Sequence, residues 1–566
     1  MGKQLLECVP NFSEGRNPEI IKNIVSEVEK VKGVVLLNVD PGKATNRTVV
    51  TFVGEPGQVI TAAFQLIKKA AELIDMETHQ GEHPRMGATD VCPLIPISGI
   101  SMKETVEWSK KLAKKVGAKL NISTYLYEHS ASENYRKNLA NIREGEYEGL
   151  KAKFKQTKWK PDFGPQEFDQ IKKTGATAIG ARDFLIAYNI NLNTTSTRRA
   201  NAIAFDIREK GRIARQGNTL TGKILKDKKG NTIWRPGSLK HVKAIGWFIE
   251  EYGITQISMN LTNIQKTPIH VVFDEVCKKA SKRGIRVTGS ELVGLIPLNA
   301  MIDAGKYFLN KQQRSTGISE KEIIKIAQKT MGLDEIQKFN PEERIIEYRI
   351  KDVEKSLCDL TLEDFLQETA SESPAPGGGS IAAYIGSLGA ALTTMVANLS
   401  SHKRGWDDRW EEFSLLAEKG QKYIIELQQL VDKDTDAFNQ IIACFRLSEK
   451  TEKERENKKI LLQKATLNAI EIPLQVMKLS LELMTLINVL VQKGNPNSIS
   501  DVGVAALCAR SAVLGAYLNV IINTKDYTNK KNKARLLKEA EKLKKEAIKK
   551  EKTIIENTLQ SIKKSS

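Results

Sequence analysis

Leu5 to Val9 is a short apolar run closed by Pro10 and Asn11, which predicts a strand. Asn17-Pro18 then offers an N-cap and a first-turn proline to Ile20, Ile21, Ile24, Val25 and Val28, apolar positions at helical spacing. The β-branched runs at 34–37 and 48–53, parted by Pro41-Gly42, predict two further strands. Pro56 opens a second helix with Val59, Ala63, Leu66, Ile67, Ala70 and Ile74 on its apolar face, and 91–97 supplies another strand. The resulting order, β-α-β-β-α-β, is the split βαβ arrangement.

That order recurs beyond about residue 184. Strands are predicted at 184–190, 242–249, 254–261 and 285–288, and helices at 200–209 and near 272–279. Past the charge cluster at 349–355 strand-like runs almost vanish. Helical patterns occupy 381–400, 413–444, 452–492 and 500–522. The basic tail at 530–564 keeps apolar positions at Leu536, Leu537, Leu543, Ile548, Ile554, Ile555, Leu559 and Ile562, the pattern of an amphipathic helix. The expected architecture is an α/β (α+β) part made of two ferredoxin-like βαββαβ subdomains, 1–184 and 185–350, with a cleft between them. A linker at 351–358 and an all-α domain at 359–566 follow. Lys228-Lys229-Gly230-Asn231, inside 217–236, reads as the turn of an inserted hairpin.

A chain of 566 residues exceeds one core, so two to four domains are expected. Six cysteines (Cys8, Cys92, Cys277, Cys358, Cys444, Cys508) without short-spaced pairs fit neither a zinc site nor a disulfide scaffold, and point to a reducing cytoplasm. Met1 to Leu6 is too short for a signal segment, and Leu6 stands where a myristoylation signal needs Ser or Thr. No run is expected to span a bilayer, because Gly386, Gly389, Thr393, Thr394 and Asn398 interrupt 381–399. The net charge of +19 suits nucleic acid, a membrane surface or a small polyanion. Aromatics at 6% and no aromatic RNA-binding motif argue against a basic nucleic-acid-binding protein, the rival from another class.

His79-Gln80-Gly81-Glu82-His83-Pro84-Arg85-Met86-Gly87 holds two of six histidines. As H-x-x-E-H it has the form of an inverted zinc-peptidase motif, but that chemistry needs a continuous helix, which Gly81 and Pro84 oppose. No metal is expected. This segment, with 7–16, 45–49, Asp90-Val91-Cys92-Pro93, Asp162-Phe163-Gly164-Pro165, Gly175-Ala176-Thr177-Ala178 and 188–192, resembles the signatures of the glutamate formiminotransferase family, in order, over residues 1 to about 350.

The resemblance implies transfer of a formimino group from N-formimino-L-glutamate to N5 of tetrahydrofolate, with His83 catalytic. Imidazole, with a pKa of about 6.5, can take the N5 proton and return one to the departing amine. Asp40, after the second strand, is a candidate to orient His83 or hold the iminium charge; its other reading is a turn residue before Pro-Gly. Arg47 and Arg85, with neighbouring Asn46, are candidates to clamp substrate carboxylates, or else form structural ion pairs. The resemblance places folate binding between Gly164-Pro165 and Gly175, although 166–173 departs from the family pattern.

Ala375-Pro376-Gly377-Gly378-Gly379-Ser380 precedes a small-residue helix, and such a turn can let backbone N–H groups approach an anion. Within 430–438, Asp432 and Asp436 share a helix face, while Asp434 points toward apolar neighbours, a setting that raises a carboxyl pKa. These segments, with 494–502 and 517–520, resemble the cyclodeaminase domain family over about 358–525. That implies closure of 5-formimino-tetrahydrofolate to 5,10-methenyl-tetrahydrofolate with loss of ammonia, and a catalytic role for Asp434. Asn495, Ser500, Asp501 and Asn519 are candidate folate contacts, or caps and packing residues.

Both motif sets in one chain resemble a bifunctional transferase–lyase family of histidine degradation and one-carbon metabolism. The resemblance further implies tetrahydrofolate as co-substrate, its poly-γ-glutamate tail matched by the positive charge. It also implies a cytoplasmic homo-oligomer, ring-shaped, with no nucleic acid or membrane partner. A formiminotransferase carrying an inactive folate-binding helical domain is the nearer alternative.

Overall fold

The computed structural model describes residues 4–42, 46–81, 84–217, 221–250, 252–350, 356–373 and 375–565. Packing divides the chain into two units, Met1–Met301 with Met331–Lys351, and Ile302–Thr330 with Asp352–Ser566.

In the first unit the elements run β1 (Leu5–Cys8), α1 (Pro18–Glu29), β2 (Val34–Gly42), β3 (Arg47–Gly54), α2 (Pro56–Leu73), β4 (Thr89–Ser98), α3 (Met102–Leu120), β5 (Ser123–Leu126) and β6 (Ala176–Ala181). Asn17 caps α1 as its sequence predicts, its side chain accepting from the N–H groups of Glu19 and Ile20. Sheet order is β2-β3-β1-β4-β6-β5, with β4, β6 and β5 parallel and the others antiparallel. The first four strands and two helices are the expected βαββαβ set. The sequence reading did not reach α3, β5 and β6, whose strands are short and rich in Ser, Thr and Ala. A capping box between Ser101 and Glu104 starts α3, the crossover that lets β5 join in parallel.

The second sheet comprises β7 (Ile186–Leu192), α4 (Thr197–Ile207), β8 (Val242–Ile249), β9 (Ile254–Leu261), α5 (Ile269–Ser281) and β10 (Val287–Val293). Its order, β8-β9-β7-β10, is antiparallel throughout. Helices α1 to α3 cover one face of the first sheet around Leu6, Cys8, Phe52 and Leu94. On the opposite face Leu5, Leu37 and Val53 pack with Phe184, Leu295 and Ile346, so a second apolar layer joins the two sheets. The predicted hairpin is present. Arg212–Ile213 pairs Trp234–Arg235, and Asp227 closes the turn by accepting from the N–H groups of Lys229 and Asn231 at 2.8 Å.

The second unit is helical: α6 (Gly378–Ser401), α7 (Trp410–Phe445), α8 (Glu452–Lys493), α9 (Ile499–Asn523) and α10 (Lys530–Ser565). Small residues let these helices approach closely. A Cβ on Gly420 would stand 2.1 Å from Thr394 Oγ1, and one on Gly389 3.0 Å from the Ala505 carbonyl. Helix α10 buries Leu536, Ala540, Ala547 and Ile554 and exposes its charged face, as its amphipathic spacing predicts. Residues 302–330 pack with this unit. Thr316 N–H donates to Ser414 Oγ at 3.0 Å, and Asn398 Nδ2 to the Gly317 carbonyl at 2.9 Å.

One expectation is corrected. By length and composition α6, α8 and the stretch Pro496–Asn523 are apolar enough to cross a membrane, because alanine and branched residues outweigh the interrupting glycines and hydroxyls. In α6 and α8, 61% and 67% of the apolar window is buried within the protein.

Candidate active sites

His83 and Glu82 lie outside the described residues, but their flanks are fixed. Asn46, in the left-handed region at φ 48°, accepts from Gly15 N–H at 3.0 Å and donates to the Gln80 carbonyl at 2.9 Å. Its own carbonyl meets His79 Nε2 at 3.0 Å, while Arg85 Nε donates to His79 Nδ1 at 3.2 Å. These partners require His79 to be the neutral Nε2–H tautomer. Burial, and then the nearby Arg85, hold its pKa below the ordinary imidazole value, although the Asn46 hydrogen bond opposes them. His79 is therefore a brace, with both ring nitrogens engaged.

Past His83 the chain is again clamped. Arg85 is engaged by Glu146 at 3.0 Å and Glu148 at 2.7 Å, so within the protein its fork already holds carboxylates. Asp90, fully buried and paired with Arg143, accepts from Met86 N–H at 3.1 Å. Gly87 and Gly175 pair backbone to backbone. A Cβ on Gly175, whose φ is +63°, would lie 2.3 Å from the Met86 carbonyl. Gly175 is thus brought to the His83 segment. Gly164 and Pro165 are placed elsewhere, against the start of β5. Ser123 Oγ donates to the Pro165 carbonyl at 2.7 Å, and a Cβ on Gly164 would meet the Ile122 carbonyl at 2.3 Å.

Asp40 is exposed and lies opposite Val49 on β3. Strand alternation and the irregularity between Leu36 and Asn38 put Asp40, Asn38, Thr51 and Glu7 on the sheet face turned from α1 and α2. Arg47 is half-buried on the same strand pair. It donates to Asn11 Oδ1, and burial lowers its pKa to about 10 against the opposing pull of Asp90. A cavity of about 590 Å³ opens on this face, lined by Glu7, Asn38 and Thr51 together with Arg182, Ala187, Val293, Arg344 and Arg349.

In the helical unit Asp434 lies against the glycine turn. Ser380 Oγ donates to its Oδ2 at 3.0 Å and the Ser380 N–H also donates to the carboxylate, whose pKa burial nevertheless raises. A Cβ on Gly379 would fall 2.2 Å from Asp434 Oδ1, so only glycine admits the carboxylate there. Asn519 closes the group, its Nδ2 3.4 Å from where a Gly378 Cβ would stand. Ser380 lay within the predicted motif without being singled out; its signal was the hydroxyl one residue beyond three glycines. Gly379→Ala should therefore abolish the chemistry of this site while leaving the helices formed, which activity and circular dichroism on one preparation would check.

Asp432 plays a different part. It caps the segment at 356–357, accepting from Ser356 Oγ at 2.6 Å and Leu357 N–H at 2.8 Å. Asn495, Ser500 and Asp501 are not brought to Asp434. Asn495 N–H donates to Ser400 Oγ, at the far end of α6 and about 30 Å from Gly379 at the helical rise. Among the described residues no group of three or more His, Cys, Asp and Glu could hold a metal ion.

A histidine-bearing loop braced ahead of the central strand β4 of a mixed sheet, and a half-buried aspartate seated on a helix N-terminus, are the candidate sites of a two-part enzyme. The comparisons give the family. Residues 5–182 match the formiminotransferase domain, N-terminal subdomain, 187–351 the formiminotransferase domain, and 361–542 the formiminotransferase-cyclodeaminase family. The chain is 41% identical to the formimidoyltransferase-cyclodeaminase of Rattus norvegicus over 93% of either chain. It is 41% identical to the glutamate formimidoyltransferase of Thermoplasma acidophilum over 57% of this chain and 98% of that one. It is 34% identical to the methenyltetrahydrofolate cyclohydrolase of Methylorubrum extorquens over 33% of this chain and 90% of that one. The chain belongs to the formimidoyltransferase-cyclodeaminase family.

Proposed function

We propose that this protein moves the formimino group of N-formimino-L-glutamate to N5 of tetrahydrofolate and then closes the product to 5,10-methenyl-tetrahydrofolate, releasing ammonia. The observation that carries the reading is the seat of Asp434. A carboxyl whose pKa is raised by burial stands on a turn that only glycine permits, in a chain whose relatives are named for both activities. In the first step N5 attacks the amidine carbon, His83 takes the N5 proton and the departing glutamate nitrogen receives one. In the second, N10 attacks the same carbon and gives up its proton to the formimino nitrogen, and Asp434, in its acid form, supplies the further proton with which that nitrogen leaves as ammonia.

Asp40 shares the cleft-side sheet face and orients the imidazole or holds the cationic carbon. Asn46 and Gly175 shape the loop, while Arg47 supplies positive potential for the carboxylates. Gly377 to Gly379 admit the pterin-bearing ligand beside Asp434. Six free cysteines support a reducing cytoplasm. Exposed Leu388, Leu399 and Leu518 support assembly into a homo-oligomer, ring-shaped in this proposal. The lysine-rich face of α10 suits the poly-γ-glutamate tail of the folate, which would keep the intermediate near the protein between steps.

The test supplies formiminoglutamate with mono- or polyglutamyl tetrahydrofolate and follows glutamate, ammonia and methenyl product together. Equimolar formation of all three is expected, with less free 5-formimino intermediate from the polyglutamate. Glutamate without ammonia would instead establish the reading in which the helical domain is inactive, and release of neither would overturn the proposal.

A further inference from the structure

Glu7 stands in a strand of otherwise apolar residues and is 4% exposed, yet it lines the cavity of about 590 Å³ on the inner sheet face. Among the described residues its side chain forms no hydrogen bond and no ion pair. Isolated carboxylates are costly to bury, so a side chain so placed is matched to something that enters. The cavity's other charged groups are Arg182, Arg344 and Arg349 and the exposed Glu342 and Glu343, and Glu347 also acts on Glu7. Arg344 and Arg349 spend one donor each on the carbonyls of Gly294 and Leu37, and Arg182 one on the carbonyl of Asp183, leaving donors in each fork.

We propose that this cavity is the amino-acid subsite of the transferase, in which the Glu7 carboxylate grips the planar amidinium of formiminoglutamate while Arg182, Arg344 and Arg349 face its two carboxylates. The assignment rests on the transferase reading above. Its warrant is complementarity: the substrate carries one delocalised N–C–N cation and two anions, and the cavity is lined by one buried carboxylate and three guanidinium groups, with the carboxylates of Glu342 and Glu343 exposed. Amidinium and carboxylate pair through two parallel N–H···O bonds, in the same way as arginine and carboxylate. The sheet face that carries Glu7 also carries Asp40, one strand repeat beyond cavity-lining Asn38, so the amidine carbon would lie along the line toward the His83 segment. Burial, with Arg182 opposing it, raises the Glu7 pKa to about 7, so an arriving cation would draw the carboxyl into its charged form.

The experiment compares binding of N-formimino-L-glutamate with that of N-formyl-L-glutamate, which replaces the cation by a neutral amide of the same shape. On the unmodified protein at pH 8 the formimino compound should bind about 10- to 100-fold more tightly, the range of a charge-assisted pair. That preference should shrink at pH 5.5, where Glu7 is protonated while the substrate's own charges persist. Glu7→Gln should erase the preference and raise KM for formiminoglutamate by a similar factor, with KM for tetrahydrofolate unchanged. Equal binding of the two compounds to the unmodified protein at pH 8, or a preference that survives in Glu7→Gln, overturns the assignment of Glu7. Glutamate release is followed in the same preparation: its absence sinks the transferase reading itself, whereas release accompanied by equal binding sinks only the subsite.

Discussion

Replacing His83 with alanine is expected to cut glutamate release from formiminoglutamate by about 10²- to 10⁴-fold, the usual worth of a positioned acid–base group. Closure of 5-formimino-tetrahydrofolate supplied directly should continue at the parent rate. The structure sharpens this expectation by removing the competitor. His79 is four residues away and has the same side chain, but its Nδ1 accepts from Arg85 and its Nε2 donates to the Asn46 carbonyl. An imidazole with both nitrogens committed, and its pKa lowered by burial, cannot cycle a proton without breaking the loop it holds. His79→Ala should accordingly act through the loop, lowering thermal stability and transfer together. His83→Ala should leave the melting temperature near that of the parent. Stopped assays for glutamate and ammonia, run beside a thermal melt, separate the two. Undiminished transfer by His83→Ala would refute the assignment.

The fold was legible where periodicity is strong and local. The apolar spacing of α1, the proline at its first turn and the long α7 to α10 patterns determined those helices nearly to the residue. What escaped depended on pairing across distance. Strands β5 and β6 are short, with few large apolar residues; β6 becomes a strand because the edge of β4 is available to it, and β5 because the edge of β6 is, which no local pattern records. The stretch 302–330 packs on the helical unit through Ser414, Ala417 and Asn398, contacts between small or polar side chains that carry no hydrophobic signature.

The sites divide in the same way. Asp434 could be singled out because its helix phase differs from that of Asp432 and Asp436. That Asp432 caps residues 356–357, and that Asn495 sits a whole helix length from Asp434, are facts of packing. Arg85 shows the limit from the other side: the motif flags an arginine, but only the fold reveals that Glu146 and Glu148 occupy it. Glu7 left a faint signal, a lone carboxylate in a four-residue apolar strand, whose meaning depends on which face of the sheet is covered by helices.

Asp434→Asn and Asp434→Ala should leave glutamate release intact and reduce ammonia formation by about 10²- to 10⁴-fold, with 5-formimino-tetrahydrofolate accumulating. The physical cause lies in the seat of the carboxyl. Burial raises its pKa, while the hydroxyl and N–H of Ser380, which favour the anion, hold back part of that rise. A raised value keeps the acid form populated at a higher pH than an exposed aspartate would allow, so the rate of ammonia release should fall as pH climbs through it. Ser380→Ala removes the hydroxyl that favours the anion and should move that fall to higher pH.

Stability runs in the opposite sense to that of a salt-bridged aspartate. Because the folded pKa lies above the unfolded one, the charged carboxyl costs nothing below the unfolded value. The cost grows between the two values and is constant above the folded one. Asp434→Asn should therefore match the parent in denaturant resistance at acid pH and exceed it at neutral pH, while losing the ammonia-releasing step. An inactive variant that is also less stable than the parent at neutral pH would mean that Asp434 is a structural partner of Ser380 and not the acid of the reaction.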